Sequence, residues 1–210
     1  MGLISLLLRD PIMFFLLAVP LLYSVIAHEV AHGWVASIFG DNTAKYSGRL
    51  SLNPMLHLDP IGTIALFFVG FGWAKPVPVN YSNLRDSRLG IIAVSLAGCL
   101  TNILIATIAI FLLHFHFFQT SHFFATVLLI VARINIILGS FNLIPIPPLD
   151  GSRVLMEILP YTYKYKLALL EPYGFFIIVI LLFTGILEPV IILVQNVILG
   201  LIGILLSFVR

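Results

Sequence analysis

"PIMFFLLAVPLLYSVIAHEVAHGWVASIFG", residues 11–40, is the stretch that decides the fold. A transmembrane helix needs about 20 predominantly apolar residues, and this run is long enough to cross a bilayer. Its second half nevertheless carries His28, Glu29 and His32. Ionisable residues are costly inside a membrane and usually mark a functional site. The run therefore predicts a transmembrane helix that carries out chemistry.

The composition places the whole chain in a bilayer. Of its 210 residues, 60% are hydrophobic and 10% are charged, and the mean hydropathy is +1.13. Soluble domains carry roughly 25% charged residues, so this chain cannot cover a water-facing surface. We predict an all-α polytopic membrane protein with one domain over residues 1–210, the lipid bilayer as its surroundings and no nucleic-acid partner. The single cysteine, Cys99, excludes a disulfide framework within the chain.

Five stretches have the length and apolarity of membrane-spanning helices. They are about 11–39, 88–117, 122–144, 167–186 and 189–209. A shorter apolar piece, 61–73, is expected to be re-entrant or interfacial. The alternation of polar and apolar residues in "KYSGRLSLNP" (45–54) predicts a short β-hairpin or extended loop at the membrane face. Such a strand edge could pair with an extended peptide.

The distribution of basic residues predicts the orientation. Nine of the 11 Lys and Arg residues fall on the side reached after the first span: Lys45, Arg49, Lys75, Arg85, Arg88, Arg153, Lys164, Lys166 and Arg210. The opposite side carries Arg9, and Arg133 falls within a span. Because short loops rich in Lys and Arg stay in the cytoplasm, five spans predict an N-terminus outside and a C-terminus inside.

The pattern HExxH predicts a zinc site in the first span. His28 and His32 are four residues apart, so they share one helix face and can both reach one metal ion. Glu29 lies beside them as a general base that activates water. The alternative is a polar helix face whose histidines are satisfied by hydrogen bonds within a helix bundle.

A catalytic zinc needs a third protein ligand. Asp150 follows "FNLIPIPPLDG", in which three prolines stop the third span and leave an extended stretch that must line a cavity. This brings a carboxylate back to the depth of HExxH, so Asp150 is our third ligand. His57 and Asp59 are expected to be solvated in a loop. His114, His116 and His122 cluster at the opposite membrane face.

HExxH in a first core span, paired with "NLIPIPPLDG" after the third, resembles the site-2 protease family, peptidase family M50. "GWAKPVPVN" (72–80) and "SLAGCLTN" (95–102) are also similar to segments of that family. The likeness covers about residues 20–155. It resembles a minimal member, without the PDZ or CBS domain that many relatives carry.

The resemblance implies one zinc ion per chain on His28, His32 and Asp150, with Glu29 activating water and Asn102 stabilising the oxyanion. Asn142 matches a motif position, and it and Asn53 are predicted to contact substrate. The implied substrates are transmembrane segments of other proteins, cleaved within or near the membrane after local unwinding. The source is expected to be prokaryotic, and the oligomeric state stays open.

A metal-ion transporter or metal-binding membrane protein is the alternative from another functional class. Intramembrane His and Asp residues also build ion pathways. A transporter, however, should spread polar residues along a route through both leaflets, whereas here they gather towards one side. Within the third span, Arg133 and Asn135 are expected to make internal hydrogen bonds in the bundle.

Overall fold

The computed structural model describes residues 3–69, 72–115, 118 and 120–208. The helices are α1 (Leu3–Arg9), α2 (Pro11–Ile38), α3 (Thr43–Tyr46), α4 (Pro60–Val69), α5 (Ser87–Leu112), α6 (His122–Asn142), α7 (Asp150–Ile158), α8 (Tyr161–Ala168), α9 (Gly174–Phe183) and α10 (Glu188–Ser207). Short 3-10 turns occur at Pro54–Leu56, Tyr81–Asn83 and Glu171–Tyr173. Within the described ranges the structure is helical and has no strand, which confirms the all-α prediction.

In the part of the chain that the structure describes, five segments are long and apolar enough to cross a membrane, as predicted. They are Pro11–Ile38, Arg88–Leu112, His122–Asn142, Tyr161–Phe183 and Glu188–Ser207. Their surfaces carry many large apolar side chains exposed on the protein, and these suit contact with lipid. The chain is a multi-pass membrane protein.

The core of the bundle is formed by α2, α5 and α6, with α5 packed against both of the others. Its buried positions on α5 and α6 are mostly small residues: Ala97, Cys99, Ala106, Ala109, Ala132 and Gly139. Small residues let transmembrane helices approach closely, because lipid gives no hydrophobic drive for helix association. The close approach brings polar groups of three helices within hydrogen-bonding distance of one another.

The fourth apolar segment, Tyr161–Phe183, is interrupted by a turn. It consists of α8, the 3-10 turn Glu171–Tyr173 and then α9, which has ten residues. A ten-residue helix is about 15 Å long, half the thickness of the hydrocarbon core. The first residue of α9 is Gly174, where a Cβ atom would lie 2.5 Å from the carbonyl oxygen of Pro147.

The segment between α9 and α10 lies at the end of the bundle where α6 ends. Leu187 packs in one buried cluster with Ile144, just beyond the end of α6, so α10 starts there. The last turn of α10, including Leu206, lines a cavity with Ile110 and His114 at the end of α5. Since α5 runs antiparallel to α2, α10 ends where α2 begins. The prediction of a C-terminal side opposite the N-terminal side is therefore wrong as far as Ser207; Arg210 lies outside the described residues.

The β-hairpin predicted at 45–54 is wrong. The chain forms the single helical turn α3, and Gly48 then turns it with φ of 65°. Beyond the turn, a side chain holds the backbone where a hairpin would have a strand partner. His57 Nε2 lies 2.7 Å from Ser51 O, within hydrogen-bonding distance. The apolar piece 61–73 forms α4, and its flanks meet in an isolated antiparallel bridge between Leu58 and Ala74.

Candidate metal centre

Two distant parts of the chain meet at a cluster of three ligand atoms. His28 and His32 lie one turn apart on α2, and Asp150 is the first residue of α7. His28 Nε2 and His32 Nε2 are 3.0 Å apart, and Asp150 Oδ2 lies 3.1 Å from the first and 3.2 Å from the second. The structure thus brings together the three side chains that the sequence analysis selected as metal ligands.

The proline-rich turn after α6 carries Asp150 to this position. Ile144 and Leu149 are buried in the apolar cluster that anchors the turn, and the Pro147–Pro148 peptide bond is cis. Gly151 then passes so close to the end of α6 that a Cβ atom would lie 2.2 Å from Leu143 O. A side chain at this position would push Asp150 away from the two histidines.

The backbone fixes the tautomer of His32. Its Nδ1 lies 2.6 Å from the carbonyl oxygen of Val94 on α5. A carbonyl oxygen can only accept a hydrogen bond, so Nδ1 carries the proton and donates. In its neutral form the ring would therefore present the lone pair of Nε2 to the cluster.

A chain of buried amides fixes the tautomer of His28 in the same way. Asn102 Nδ2 donates to Ser24 O at 3.3 Å and to Asn135 Oδ1 at 2.8 Å, which turns Asn102 Oδ1 towards His28 Nδ1 at 2.7 Å. Asn135 is itself oriented because its Nδ2 donates to Val131 O at 2.8 Å. Since Asn102 Oδ1 accepts, His28 Nδ1 carries a proton, and in the neutral ring Nε2 would present its lone pair to the cluster.

With both rings in the neutral form, the cluster would offer a metal ion three acceptor atoms, two ring nitrogens and one carboxylate oxygen. Such atoms repel one another unless a cation lies among them. Nitrogen and oxygen ligands at 2.0–2.1 Å from a tetrahedral zinc lie about 3.3 Å from one another, close to the distances found here. The set of two His and one carboxylate also occurs in catalytic zinc sites. The residues fit zinc.

The position of Asn102 differs from that of an oxyanion donor. Its side chain is completely buried, and both amide hydrogens are engaged by Ser24 and Asn135. This arrangement leaves no hydrogen for a substrate oxygen. Asn135 makes the internal hydrogen bonds that the sequence predicted. Arg133, for which the same was predicted, is instead exposed, and that prediction is wrong.

Gly98 makes room for the ring of His28. A Cβ atom at this position would lie 2.5 Å from both Cε1 and Nε2 of His28, closer than real contacts allow. This glycine belongs to the segment "SLAGCLTN", and no role was predicted for it. The sequence did contain a signal for this role. A glycine inside a helix lowers stability and often marks a close approach of another group.

The general-base candidate Glu29 is held by the segment 74–80. Its Oε2 accepts a 2.9 Å hydrogen bond from the backbone N–H of Val77, which is buried. Arg49, also buried, donates from Nη2 to Lys75 O at 2.7 Å and to Pro76 O at 3.1 Å. These contacts leave Oε1 of Glu29 as its second acceptor. Nothing in the local sequence pattern predicted them.

Asp41 anchors the far end of the same segment. Its buried carboxylate accepts hydrogen bonds from the backbone N–H of Asn80 at 2.7 Å and from Asn83 Nδ2 at 3.0 Å, and it also accepts from Thr43. Burial raises the pKa of Asp41, but these hydrogen bonds lower it by more, so the pKa lies below its ordinary value. The segment 74–80 is thus fixed at both ends.

The other predicted contact residues lie elsewhere. Asn142 ends α6 and donates to Leu138 O at 3.1 Å within its own helix. Asn53 caps the turn Pro54–Leu56, where its Oδ1 accepts from Met55 N. Neither has a recorded contact with the metal cluster in the described part of the chain.

Among the described residues, His57, His114 and His122 are also separate from the cluster. His57 is buried rather than solvated, with 1% of its surface exposed. Its carbonyl oxygen accepts from Lys75 N at 2.8 Å, so it helps to hold the segment 74–80. His114 lies at the end of the bundle where α2 begins, and His116 is outside the described residues.

Comparisons with known proteins identify the family. A family model described as "Peptidase family M50" matches residues 118–184, which include Asp150. A Bacillus subtilis (strain 168) protein named "Putative zinc metalloprotease YwhC" is 42% identical over 175 residues, covering 80% of each chain. No solved structure matches the chain.

Two further relatives are more distant. "Putative zinc metalloprotease Rip2" of Mycolicibacterium smegmatis is 30% identical over 171 residues, which cover 78% of this chain and 64% of that protein. "Zinc metalloprotease MJ0392" of Methanocaldococcus jannaschii is 28% identical over 158 residues, which cover 75% and 38%. With the metal cluster and the apolar helices in place, these similarities show that the chain belongs to peptidase family M50, the site-2 protease family.

Proposed function

We propose that the protein is an intramembrane zinc metalloprotease that hydrolyses peptide bonds within or near transmembrane segments of other membrane proteins. One observation carries the proposal. The ligand atoms of His28, His32 and Asp150 meet within 3.2 Å of one another, directly beside Glu29, although Asp150 lies more than 100 residues away in sequence. A transporter would not need a carboxylate in the position of Glu29.

The residues of the site would each have a different role in the reaction. His28, His32 and Asp150 would hold the zinc, which when bound would polarise the scissile carbonyl as a Lewis acid and lower the pKa of water. Glu29 would take the proton from the attacking water with the oxygen that Val77 does not occupy, and would deliver it to the leaving amine. Asn102 would keep His28 in the tautomer that binds metal.

The depth of the centre supports a substrate within the membrane. His28 lies ten residues before the end of α2 at Ile38, about 15 Å along the helix. We propose that this end faces the cytoplasm, because the loops here carry most of the basic residues. The N-terminus and the end of α10 would then be outside.

A transmembrane substrate must unwind to expose a peptide bond, and its freed backbone groups need new partners in lipid. The strand pairing first predicted for 45–54 has no strand to support it. We propose instead that unwound substrate lies along 74–80, whose backbone already reaches Glu29 through Val77.

The direct test is cleavage of a labelled transmembrane substrate by the purified, reconstituted protein, compared with Glu29→Gln. The substitution should abolish cleavage while about one zinc per chain is retained, since Glu29 is not a ligand. Ser140→Ala is the matched control, because Ser140 is buried and, among the described residues, its hydroxyl donates only to Ile136 O of its own helix. Cleavage that survives in Glu29→Gln would refute the proposal and favour metal transport.

A further inference from the structure

Arg133 occupies the middle of a membrane-spanning helix and is exposed on the protein surface. It is the twelfth of the 21 residues of α6, about 16 Å from the helix start and 14 Å from its end. In a hydrocarbon core about 30 Å thick, this position lies close to the midplane. Its neighbours one turn away, Leu129 and Ile137, are 58% and 44% exposed. These three residues form what we call the Arg133 stripe.

The guanidinium of Arg133 has no recorded partner among the described residues. The ion pairs of Lys and Arg there join Arg153 to Glu171 and Lys164 to Glu157, both at one end of the bundle. An arginine stays protonated in proteins, so it cannot lower the cost of its position by losing its charge. Snorkelling to the interface serves residues near helix ends, and Arg133 is far from both ends.

A charge at this depth almost always pairs with another group or lines an aqueous route. An aqueous route does not suit Arg133. Asn135 points into the buried amide network, and two residues along a helix correspond to a rotation of about 200°, so Arg133 lies on the opposite side of α6. Arg133 therefore faces away from the amide network that supports the metal centre. Its partner has to come from outside the chain.

We propose that the Arg133 stripe is a docking surface for a transmembrane segment of another protein that carries Asp or Glu near its middle. Charge complementarity selects the carboxylate, and a helix is the partner that satisfies its own backbone groups in lipid. Leu129 and Ile137 supply the apolar contact on either side of the ion pair.

A second copy of this chain does not fit the stripe. In the described spans, the interior of α2 holds Glu29, which is committed to the metal centre. The other acidic residues at span level are Asp150, which belongs to the metal centre, Glu171, which pairs with Arg153, and Glu188 at the first residue of α10. None of these offers a free carboxylate at the depth of Arg133.

The test uses the full-length protein in phosphatidylcholine vesicles and a fluorescent, leucine-rich transmembrane helix with one central Asp. Energy transfer measures its association with labelled wild type, Arg133→Leu and Arg133→Lys; the same helix with central Asn is the matched control. We expect at least tenfold weaker association with Arg133→Leu than with wild type, retention in Arg133→Lys and no such difference for the Asn helix.

Several outcomes would overturn the inference. Equal association of the Asp helix with wild type and Arg133→Leu would do so, and so would no association with wild type. Adding phosphatidylglycerol tests the rival occupant, because loss of the Asp helix upon its addition would show that a lipid phosphate takes the site. Circular dichroism checks that Arg133→Leu is folded. We expect it to fold, because leucine is more stable than a charged side chain at a surface that faces lipid. The readout is independent of zinc and of proteolysis.

Discussion

The backbone N–H of Val77 donates a 2.9 Å hydrogen bond to Oε2 of Glu29. Val77 lies 48 residues after Glu29 in a segment without regular structure, so the general-base candidate depends on a distant loop for its orientation. Arg49 holds that loop by the carbonyl oxygens of Lys75 and Pro76. The catalytic geometry should therefore be sensitive to a residue that contacts neither zinc nor substrate.

Arg49→Ala is expected to lower cleavage by about ten- to 100-fold, because small misplacements of a catalytic group have effects of this size. Zinc content should stay at the wild-type value, since no ligand contacts Arg49. Arg49→Lys should recover part of the activity through a single donor. Faster cleavage by Arg49→Ala would mean that the segment 74–80 covers the site instead of ordering it.

Gly98→Ala should weaken zinc binding by at least about tenfold, as its Cβ would lie 2.5 Å from the His28 ring and displace it. Competition with a chelator measures the affinity. Gly200→Ala is the control, because a Cβ there would have nothing within 4 Å. Equal zinc affinity in wild type and Gly98→Ala would show that the ring has another place to go.

Asn102→Leu should weaken zinc binding by about 10–100-fold, the usual effect of removing a group that orients a ligand. Asn135→Leu should have a smaller effect in the same direction, since it acts through Asn102. The electronic spectrum of the cobalt-substituted protein should change in both variants and remain unchanged in Ser140→Ala. Lost cleavage with unaltered zinc affinity and spectrum would return Asn102 to the role of oxyanion donor.

Asp41 should make the fold sensitive to acid. Its pKa is lower in the folded protein than in the unfolded chain, so its contribution to stability is present above the ordinary value of about 3.9 and lost as the pH falls through the folded value. Asp41→Asn should lower the thermal unfolding midpoint at pH 7. The difference from wild type should shrink below about pH 4, and a difference that is constant with pH would contradict this origin.

The meeting of His28, His32 and Asp150 could be predicted from the sequence because its signals are local. The spacing of His28 and His32 follows from the helical repeat, and the prolines before Asp150 end α6 in any context. The roles of Gly98, Asn135 and Val77 depend on contacts between helices or loops far apart in sequence. Without the packing of α5 between α2 and α6, these residues carry no distinguishing pattern.

The prediction of the side on which the last helix, α10, ends was wrong for a different physical reason. Hydropathy measures whether a segment can cross a bilayer, and Tyr161–Phe183 satisfies that criterion. The break at Glu171–Tyr173 and the packing of Gly174 on the proline-rich turn keep α9 at one end of the bundle. One crossing fewer reverses the direction of α10. The prediction of a hairpin at 45–54 was wrong because Arg49 and His57 make tertiary contacts. The alternation of polar and apolar residues does not reveal such contacts.

The most direct test of the account is the zinc content of the purified wild type, His28→Ala and Asp150→Ala proteins, each folded in detergent. We expect about one zinc per chain in wild type and its loss in both variants, because the two distant motifs form one centre. Wild type without zinc, or Asp150→Ala that still binds zinc as tightly as wild type, would contradict it.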